Sequence, residues 1–499
     1  MIVIPQEIFD TIVSYVDYET RRSVLTVSRR FQLAIERLTW RDIHVNGDDI
    51  ESFQKLCTSH RTEALRELTF EVKFPNLRPK DEESLVSCRP TIEEIRADNE
   101  LFTSQSCGLF RALKIVEEQV MTSSGNLPRI GRSWRLCLLR PHDLPELSWI
   151  KKLSFGENGR CYYGGSNGAY EFPLDLRMLI DLSTKLPGLE NLSCPYLPER
   201  FPYYYEAAVI RHFTHPWEGP WRDSRHNFCA AVKSQLANLP VGLRLVTIRF
   251  GEASGWFGGS MDQSRALPNL VAPSSYDPLS SSIRLLSQNL THLDLQICAD
   301  STLFWPSLDE GVGNAPSWPH LKRLIVRFHN ASPSGIWYFQ GPRGEGRDVT
   351  NFEVTEAHYP PLEDNETDAY WDDVWDTEGG REEMIAPDEF RIVPNDEVLE
   401  PFLEAFAKAL GNMRAIEEAE LSTLLVWKPS EERQTQDYPD WPPGDLFKKT
   451  RWGIKYNVQS GSRCLEWQVG GWRPNYKLHQ LFRVACGDSS GAGLEERWT

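Results

Sequence analysis

Apolar residues near the start of the chain recur at helical spacing. Ile8, Ile12 and Val16 follow one another at four-residue intervals, and Phe9 and Val13 lie beside them. Residues at this spacing share one side of an α-helix, so the pattern predicts a helix with a broad apolar face.

The sequence also indicates where this helix begins and ends. Pro5 is tolerated in a first helical turn, because its fixed φ and missing N–H do no harm there. The polar segment 17–20 interrupts the pattern, and Val24, Leu25 and Val27 then indicate a short second helix.

A third helix is predicted after Ser28, whose hydroxyl is suited to cap it. Phe31, Ile35 and Leu38 lie at positions i, i+4 and i+7 of that helix. Helices this short cannot bury all of their apolar surface by themselves. The excess is expected to face either a partner protein or the domain that follows.

The order of these residues resembles the F-box. The family pattern has a Leu-Pro-x-Glu-Ile/Leu opening, a Val-Ser/Cys-Arg/Lys centre and a late Trp. The matching parts here are residues 4–8, residues 27–29 and Trp40, with Ile4 in place of the usual Leu. That exchange conserves volume and should cost little stability. The resemblance covers residues 1–46 of the 499.

An F-box docks onto the Skp linker subunit of an SCF (cullin–RING) ubiquitin ligase, and the resemblance implies this role for residues 1–46. Some of the matching residues must form the internal core, and the sequence does not separate core from interface. A plain helical cap on the following domain is the alternative. The docking residues carried over are Ile4, Pro5, Ile8, Ile12, Val16, Leu25, Val27, Phe31 and Trp40.

A short pattern, Φ-x-x-Φ-x-Φ with Φ apolar, recurs along the rest of the chain. Its last positions alternate as in a β-strand, and several copies follow an amphipathic stretch and a turn. A helix, a turn and a strand make up the unit of a leucine-rich-repeat-like solenoid. The copies begin at Leu65, Ile150, Leu189, Leu243, Leu290 and Leu321.

The predicted fold is therefore α+β or α/β. An F-box at residues 1–46 precedes an irregular leucine-rich-repeat-like domain at residues 47–485, with long insertions. The later copies lie 31 to 54 residues apart, whereas regular leucine-rich repeats run about 20–29 residues. The asparagine ladder of such repeats is also absent. A non-repetitive α/β domain is the competing interpretation.

A β-hairpin is predicted near the C-terminus. Residues 452–458 and 464–469 alternate apolar and polar positions on either side of Ser460–Ser462. Such a hairpin would cap the end of a repeat array. Residues 486–499, rich in Gly and Ser, are predicted to form a disordered tail.

The formal net charge of −17 argues against binding to nucleic acid or to an anionic membrane, because both rely on Lys and Arg. No membrane span or signal peptide is expected, because no run of eighteen apolar residues occurs and the first apolar stretch has no basic flank. Scattered cysteines are typical of buried thiols in a reducing compartment. We expect a cytoplasmic or nuclear protein, or one found in both.

Most of the negative charge is local. Residues 363–404 contain sixteen acidic and two basic residues, which accounts for −14 of the −17. Like charges repel one another, so residues 363–383 are predicted to form a mobile acidic insertion. So many carboxylates together single out no acid–base pair for catalysis.

Motifs for catalysis or metal binding are weak. Residues 159–166 approximate a phosphate-binding loop, but Gly165 occupies the position that needs Lys. No nucleophile elbow and no zinc-protease motif occurs, so we predict no catalytic residue, no cofactor, no metal and no enzyme activity. One set of side chains has the types that zinc prefers, although histidines in an aromatic loop more often pack: His212, His215, His226 and Cys229.

An aromatic insertion at residues 201–221 is the candidate surface for a target protein. Tyr and Trp are favoured at interfaces because they bury a large area with few torsions. The acidic segment would favour a basic target by long-range attraction. Alternatively, the rings simply cover the solenoid. The candidate target-binding residues are Tyr203, Tyr204, Trp217 and Trp221.

One interpretation joins these observations. The chain is predicted to be a non-catalytic substrate-recognition adaptor of an SCF ubiquitin ligase. Its F-box would bind the Skp linker and thereby join the cullin, while the following domain would recruit an unknown protein target for ubiquitination. Two alternatives remain open: an F-box scaffold that recruits nothing for degradation, and an enzyme of unrecognised fold.

Overall fold

The computed structural model of the chain contains two compact units. The first comprises residues 1–77, 97–130 and 138–149, and the second comprises residues 78–96, 131–137 and 150–499. The predicted boundary at residue 46 does not coincide with this division, because the first unit continues beyond the N-terminal helices. The structure describes residues 6–57, 61, 64–74, 92–118, 136–155, 174–197, 222–250, 263–264, 266–310, 315–355, 388–438, 448–459, 462–487 and 493–499.

The first unit begins with the three predicted helices. They are α1 (Gln6–Ser14), α2 (Tyr18–Val24) and α3 (Arg29–Thr39). The second helix is shorter than predicted, because it ends at Val24 and Val27 lies in the turn that leads to α3.

Two parallel strands follow, β1 (Asp42–Asn46) and β2 (Glu67–Glu71), separated by α4 (Ile50–Leu56). The predicted strand in the motif copy that begins at Leu65 therefore exists, but it pairs with β1 in a separate two-stranded sheet. It does not join the strands of the later copies, contrary to its place in the predicted array.

A long helix, α5 (Ile92–Glu118), contributes residues 97–118 to the first unit. Phe102, Leu109, Leu113 and Val116 are buried along it. Their spacing of three, four and seven residues is helical, yet the strand-centred repeat pattern gave no prediction of this helix.

The second unit is built on a nine-stranded, mainly parallel sheet in which the strands follow one another in chain order. Six of them run parallel: β3 (Lys152–Ser154), β4 (Asn191–Leu197), β5 (Leu245–Phe250), β6 (His292–Ile297), β7 (Arg323–Phe328) and β8 (Glu418–Trp427).

Helices lie in the connections between these strands. They are α6 (Arg177–Ser183), α7 (Arg222–Gln235), α8 (Pro278–Ser287) and α9 (Asp396–Leu410). The positions of α6, α7 and α8 agree with the prediction that several motif copies follow an amphipathic stretch, since these helices precede β4, β5 and β6. α6 packs against α7, and α7 packs against α8.

Equivalent positions of the repeated motif meet across the sheet. Leu192 lies opposite Val246, Val246 opposite Leu293, and Leu293 opposite Leu324. Leu324 in turn lies opposite Ala419 of β8. The strands predicted from the later motif copies are therefore confirmed, and β8 is a further aligned strand that no motif copy predicted.

One hydrogen-bond arrangement repeats where each parallel strand begins. A single carbonyl on one strand segment accepts from two successive backbone amides of the next. Because the same bond pair recurs at each entrance, it fixes the register of every strand against its neighbour. The accepting carbonyls belong to Lys151, Glu190, Arg244, Thr291 and Lys322.

The predicted hairpin is present as β9 (Lys448–Gln459) and β10 (Ser462–Gln468), an antiparallel pair near one edge of the sheet. The predicted disordered tail is partly wrong, because Leu494–Trp498 forms β11 and pairs in parallel with β10. Trp498 stacks on the fully buried Trp467 with ring centroids 4.9 Å apart. The prediction rested on the Gly-rich composition of the tail and did not take account of this stacking of Trp498.

Two helices complete the second unit, α10 (Glu431–Asp437) and α11 (Tyr476–Cys486). Two short strand pairs lie outside the main sheet: residues 268–269 pair with 352–353, and residues 339–340 pair with 393–394. Within the described part of the chain, no helix is both long enough and apolar enough to cross a membrane.

The predicted acidic insertion at 363–404 divides in two. Residues 363–383 lie outside the described residues, so their predicted mobility stays a prediction. Residues 388–404 contain ordered structure, because α9 uses its acidic side chains as partners of α11 and the loop before it. Glu404 pairs with Lys477 at 2.9 Å, and Asp396 accepts from the indole of Trp472 at 2.7 Å. The hydrogen bond from Lys477 lowers the pKa of Glu404.

Candidate docking surface on the N-terminal helices

The three N-terminal helices share a small core. Val13, Ala34 and Ile35 are buried at its centre. Phe9 and Phe31 pack against them and meet edge to face, with ring centroids 5.0 Å apart. Such an aromatic pair adds to the energy of burial, so these contacts hold α1 against α3.

Side-chain hydrogen bonds fix the starts of α2 and α3. The Asp17 carboxylate accepts from the backbone amide of Thr20 at 3.0 Å, and this bond lowers the pKa of Asp17. The Ser28 hydroxyl accepts from the amide of Phe31 at 3.3 Å. The predicted cap at Ser28 is therefore confirmed.

Polar contacts also hold α1 in place. Arg37 of α3 pairs with Asp10 of α1 at 3.1 Å. The amide of Gln6 donates to Asp10 at 3.1 Å and to the carbonyl of Arg30 at 3.0 Å. These contacts fix the rotation of α1, so the same side of the helix always faces solvent.

Two apolar stripes run along α1, and only one of them is buried. Phe9 and Val13 face the core. Ile8 and Ile12, which directly precede Phe9 and Val13 in the sequence, are 48% and 44% exposed. Tyr15, seven residues after Ile8, is 87% exposed. The broad apolar face predicted for this helix thus divides into a core stripe and a solvent-facing stripe.

The exposed apolar group consists of Ile8, Ile12, Tyr15, Tyr18 and Val27. Of the thirteen large apolar side chains that are exposed among the described residues, these five fall within one short segment. Single exposed apolar residues are ordinary on protein surfaces. A concentration of them marks an interaction site.

The predicted docking residues do not all share one environment. Ile8, Ile12 and Val27 are exposed, whereas Leu25 and Phe31 pack half-buried against the core. Val16 is half-buried. Tyr15 and Tyr18 were missed, although the spacing from Ile8 through Ile12 to Tyr15 is helical and gave a signal. Ile4 and Pro5 lie outside the described residues.

Trp40 joins the helices to the segment that follows them. It stacks on Phe53 of α4, with ring centroids 6.4 Å apart. The Arg61 guanidinium lies 5.2 Å over the Trp40 ring and pairs with Glu36 of α3 at 2.9 Å. These contacts give Trp40 a packing role between α3 and α4.

The predicted target-binding residues Tyr203, Tyr204, Trp217 and Trp221 lie outside the described residues, as does the approximate phosphate loop at 159–166. His212 and His215 lie outside them too. His226 lies in α7, where burial lowers its pKa and its Nε2 is 3.1 Å from the carbonyl oxygen of Val271. The described residues hold no cluster of three or more side chains suited to a metal ion.

A charged cluster in the second unit is largely buried. Arg225 and Asp277 are fully buried and pair at 2.9 Å. Burial, and then the neighbouring Asp277, raises the pKa of Asp300 to about 6. Burial also lowers the pKa of His329 to about 4. Because the Arg225–Asp277 pair at its centre is fully buried, we interpret the cluster as structural.

No protein-family model matches the chain, and no match was found among curated proteins. The function of the exposed apolar group is therefore inferred from its geometry and from the sequence pattern of the three helices.

Proposed function

We propose that the chain is a substrate-recognition adaptor of an SCF (cullin–RING) ubiquitin ligase and that its exposed apolar group docks on the Skp linker. One observation carries this proposal: α1 exposes Ile8 and Ile12 although Phe9 and Val13 already supply its core contacts. A surplus apolar stripe on a helix held in place from its other side suits a helix-binding partner.

The resemblance to the F-box supports the same conclusion. Three residues that the resemblance assigns to docking, Ile8, Ile12 and Val27, are accessible to a partner. Leu25 and Phe31 pack with the core instead. This division is what a small docking domain requires, because some of its apolar residues must hold it together while others bind.

We also propose that the second unit is a degenerate leucine-rich-repeat-like solenoid that recruits the target. The in-register motif positions, the strands in chain order and the repeated carbonyl–amide arrangement support this interpretation. The irregular spacing and the antiparallel strands β9 and β10 favour the competing interpretation, a non-repetitive α/β domain.

In this proposal the transfer of ubiquitin belongs to other subunits, and the adaptor acts in the cytoplasm, the nucleus or both. Target residues at 201–221 stay predicted. A scaffold that binds the linker without promoting degradation would share the docking surface, whereas an enzyme of unrecognised fold would not need it.

The test is a double substitution, Ile8→Glu with Ile12→Glu, in the full chain. Placing two carboxylates in an apolar interface should weaken capture of the purified Skp linker by about a hundredfold. Both side chains are already exposed, so circular dichroism and thermal unfolding should change little. The matched control is Val241→Glu with Val484→Glu, two side chains of the second unit that are 87% and 77% exposed.

Co-purification of the linker and a cullin with the wild-type chain and with the control variant, but not with the docking variant, is the expected result. Undiminished capture by the docking variant would contradict the proposal. Accumulation of the target after deletion of the chain separates an adaptor from a scaffold, because a scaffold does not promote degradation.

A further inference from the structure

One face of the main sheet in the second unit carries partly exposed charged side chains. Alternate residues of β5 to β9 are buried on the other face, including Val246, Leu293 and Ile454. We call the polar face of these strands the outer sheet face. Six basic and three acidic residues occupy it: Arg249, Arg323, Arg327, Lys449, Arg451 and Lys455, with Asp294, Glu418 and Glu420.

This basic excess is unusual for the chain, whose net charge is −17. The outer sheet face therefore differs in sign from the molecule as a whole. A local field of this kind selects a partner by its charge.

The centre of the outer sheet face is an Arg–Asp–Arg group. Arg249 on β5 and Arg327 on β7 reach the carboxylate of Asp294, on the strand between them, at 3.2 and 2.7 Å. Glu418 is likewise shared, by Arg323 at 3.0 Å and Lys455 at 3.2 Å. Each of these two carboxylates thus serves two cations.

The Arg249 side chain is partly exposed, although its Nε is not. Its Nε is shielded from solvent and has no hydrogen-bond partner among the described residues, while the side chain as a whole is 37% exposed. A guanidinium presents its donors as a fork that matches the two oxygens of a carboxylate. An incoming carboxylate would therefore bind at the exposed part of the Arg249 side chain and add negative charge beside Asp294.

The positions of the cations suit an extended ligand. Arg249 and Arg327 lie two strands apart, which is about 10 Å in a β-sheet. Gly453 of β9 lies two further strands along from Arg327 in the same row, and Arg451 of β9 lies close to that row. Arginines spread across five strands match a chain segment with several carboxylates better than a single small anion.

We propose that the outer sheet face binds an acidic segment of the target protein, held by carboxylate contacts to Arg249 and Arg327. The inference deepens the proposed function, since it names the chemistry of the recruited partner. It differs from the basic target that the acidic segment 363–404 led us to expect.

The test measures binding of fluorescent peptides to the full chain by anisotropy. The probe is a fourteen-residue peptide with six Glu among Gly and Ser, and the reference peptide has Gln at those six positions. The variant Arg249→Gln with Arg327→Gln should weaken binding of the Glu peptide about tenfold, because exposed charge-assisted hydrogen bonds are lost. The control Arg414→Gln with Arg483→Gln makes the same change in net charge and should stay within about twofold.

A second variant separates ligand binding from structural support. Asp294→Asn removes the carboxylate that competes for both guanidiniums, so it should strengthen binding of the Glu peptide by about threefold. If the arginines served only to hold Asp294 in place, this variant would leave peptide binding unchanged or weaken it.

Several outcomes would overturn the inference. Equal binding of the Glu and Gln peptides would show that charge is not recognised. Equal losses in the Arg249/Arg327 variant and the control would show a non-specific field. Tighter binding of an oligo-dT of the same charge, lost in the same variant, would assign the face to nucleic acid. None of these assays contains the Skp linker. The peptide-binding result is therefore independent of whether the chain binds the linker.

Discussion

The N-terminal helices and the sheet of the second unit differ in the kind of side chain that they leave exposed. The helices have a core centred on Val13, Ala34 and Ile35, and they leave Ile8 and Ile12 in solvent. The sheet buries most of its apolar residues on one face, and its other face carries partly exposed charged residues. A region with more apolar surface than it can bury suits an apolar partner. A face with exposed charged side chains suits a partner of the opposite charge.

The same contrast holds for ion pairs. Asp10 and Arg37 tie α1 to α3 but stay 35% and 47% exposed, because the helices are too small to enclose them. Arg225 and Asp277 are fully enclosed by the second unit. Only a large core can exclude water from a charged pair, and the energetic consequence of breaking the pair differs accordingly.

The largest expected effect comes from breaking the enclosed pair. Asp277→Ala should destabilise the second unit by about 3–5 kcal/mol, because it leaves the Arg225 guanidinium buried beside an uncharged side chain. Asp277 also caps α8, where it accepts from the amide of Ser280 at 2.9 Å. Urea denaturation followed by hydrogen exchange of the β5 and β6 amides measures the change.

The control for this prediction is Arg37→Ala in the first unit. Breaking the exposed Asp10–Arg37 pair should cost no more than about 1 kcal/mol. A cost for Asp277→Ala as small as that of Arg37→Ala would remove the distinction between the two regions.

The next effect depends on pH and concerns the second unit alone. Asp300 has a folded pKa of about 6, above its ordinary value of 3.8. Its contribution to stability is therefore complete below pH 3.8 and is lost as the pH rises through about 6. His329 has a folded pKa of about 4, below its ordinary 6.5. Its contribution is complete above pH 6.5 and is lost as the pH falls through about 4.

The two contributions oppose each other, so single substitutions should separate them. Relative to wild type, Asp300→Asn should gain up to roughly 3 kcal/mol in free energy of unfolding as the pH rises from about 4 to 6. His329→Gln should lose a similar amount over the same range, relative to wild type. Denaturation curves at four pH values provide the measurement. A pH-independent difference for both variants would contradict the buried charges described here.

The smallest effect compares the two stripes of α1. Val13→Ala removes fully buried methyl groups and should destabilise the N-terminal helices by about 2 kcal/mol. Ile8→Ala should leave folding within about 0.5 kcal/mol, because a surface substitution removes few contacts. Hydrogen exchange of the α1 and α3 amides in the full chain distinguishes the two substitutions.

The order of the two effects should reverse for linker binding, which Ile8→Ala should weaken. Equal folding costs would mean that both stripes are buried.

Much of the local structure was predictable from the sequence. The spacing of Ile8, Phe9, Ile12 and Val13 predicted α1, and Ser28 predicted the start of α3. The strands of the later motif copies and the C-terminal hairpin were predicted as well. These elements depend on residues within a few positions of one another, because the periods of the helix and the strand are properties of the backbone. The long helix α5 carried the same kind of signal and was missed.

The tertiary structure alone decided which side of each element meets solvent. Phe9 and Ile8 are equally apolar neighbours, and only the position of α3 makes one of them core and the other surface. Asp277 pairs with Arg225, which is 52 residues away in the sequence. Trp498 stacks on Trp467, although the composition of the tail that contains Trp498 predicted disorder. Contacts between residues far apart in the chain set burial, charge pairing and pKa, and no local pattern contains them.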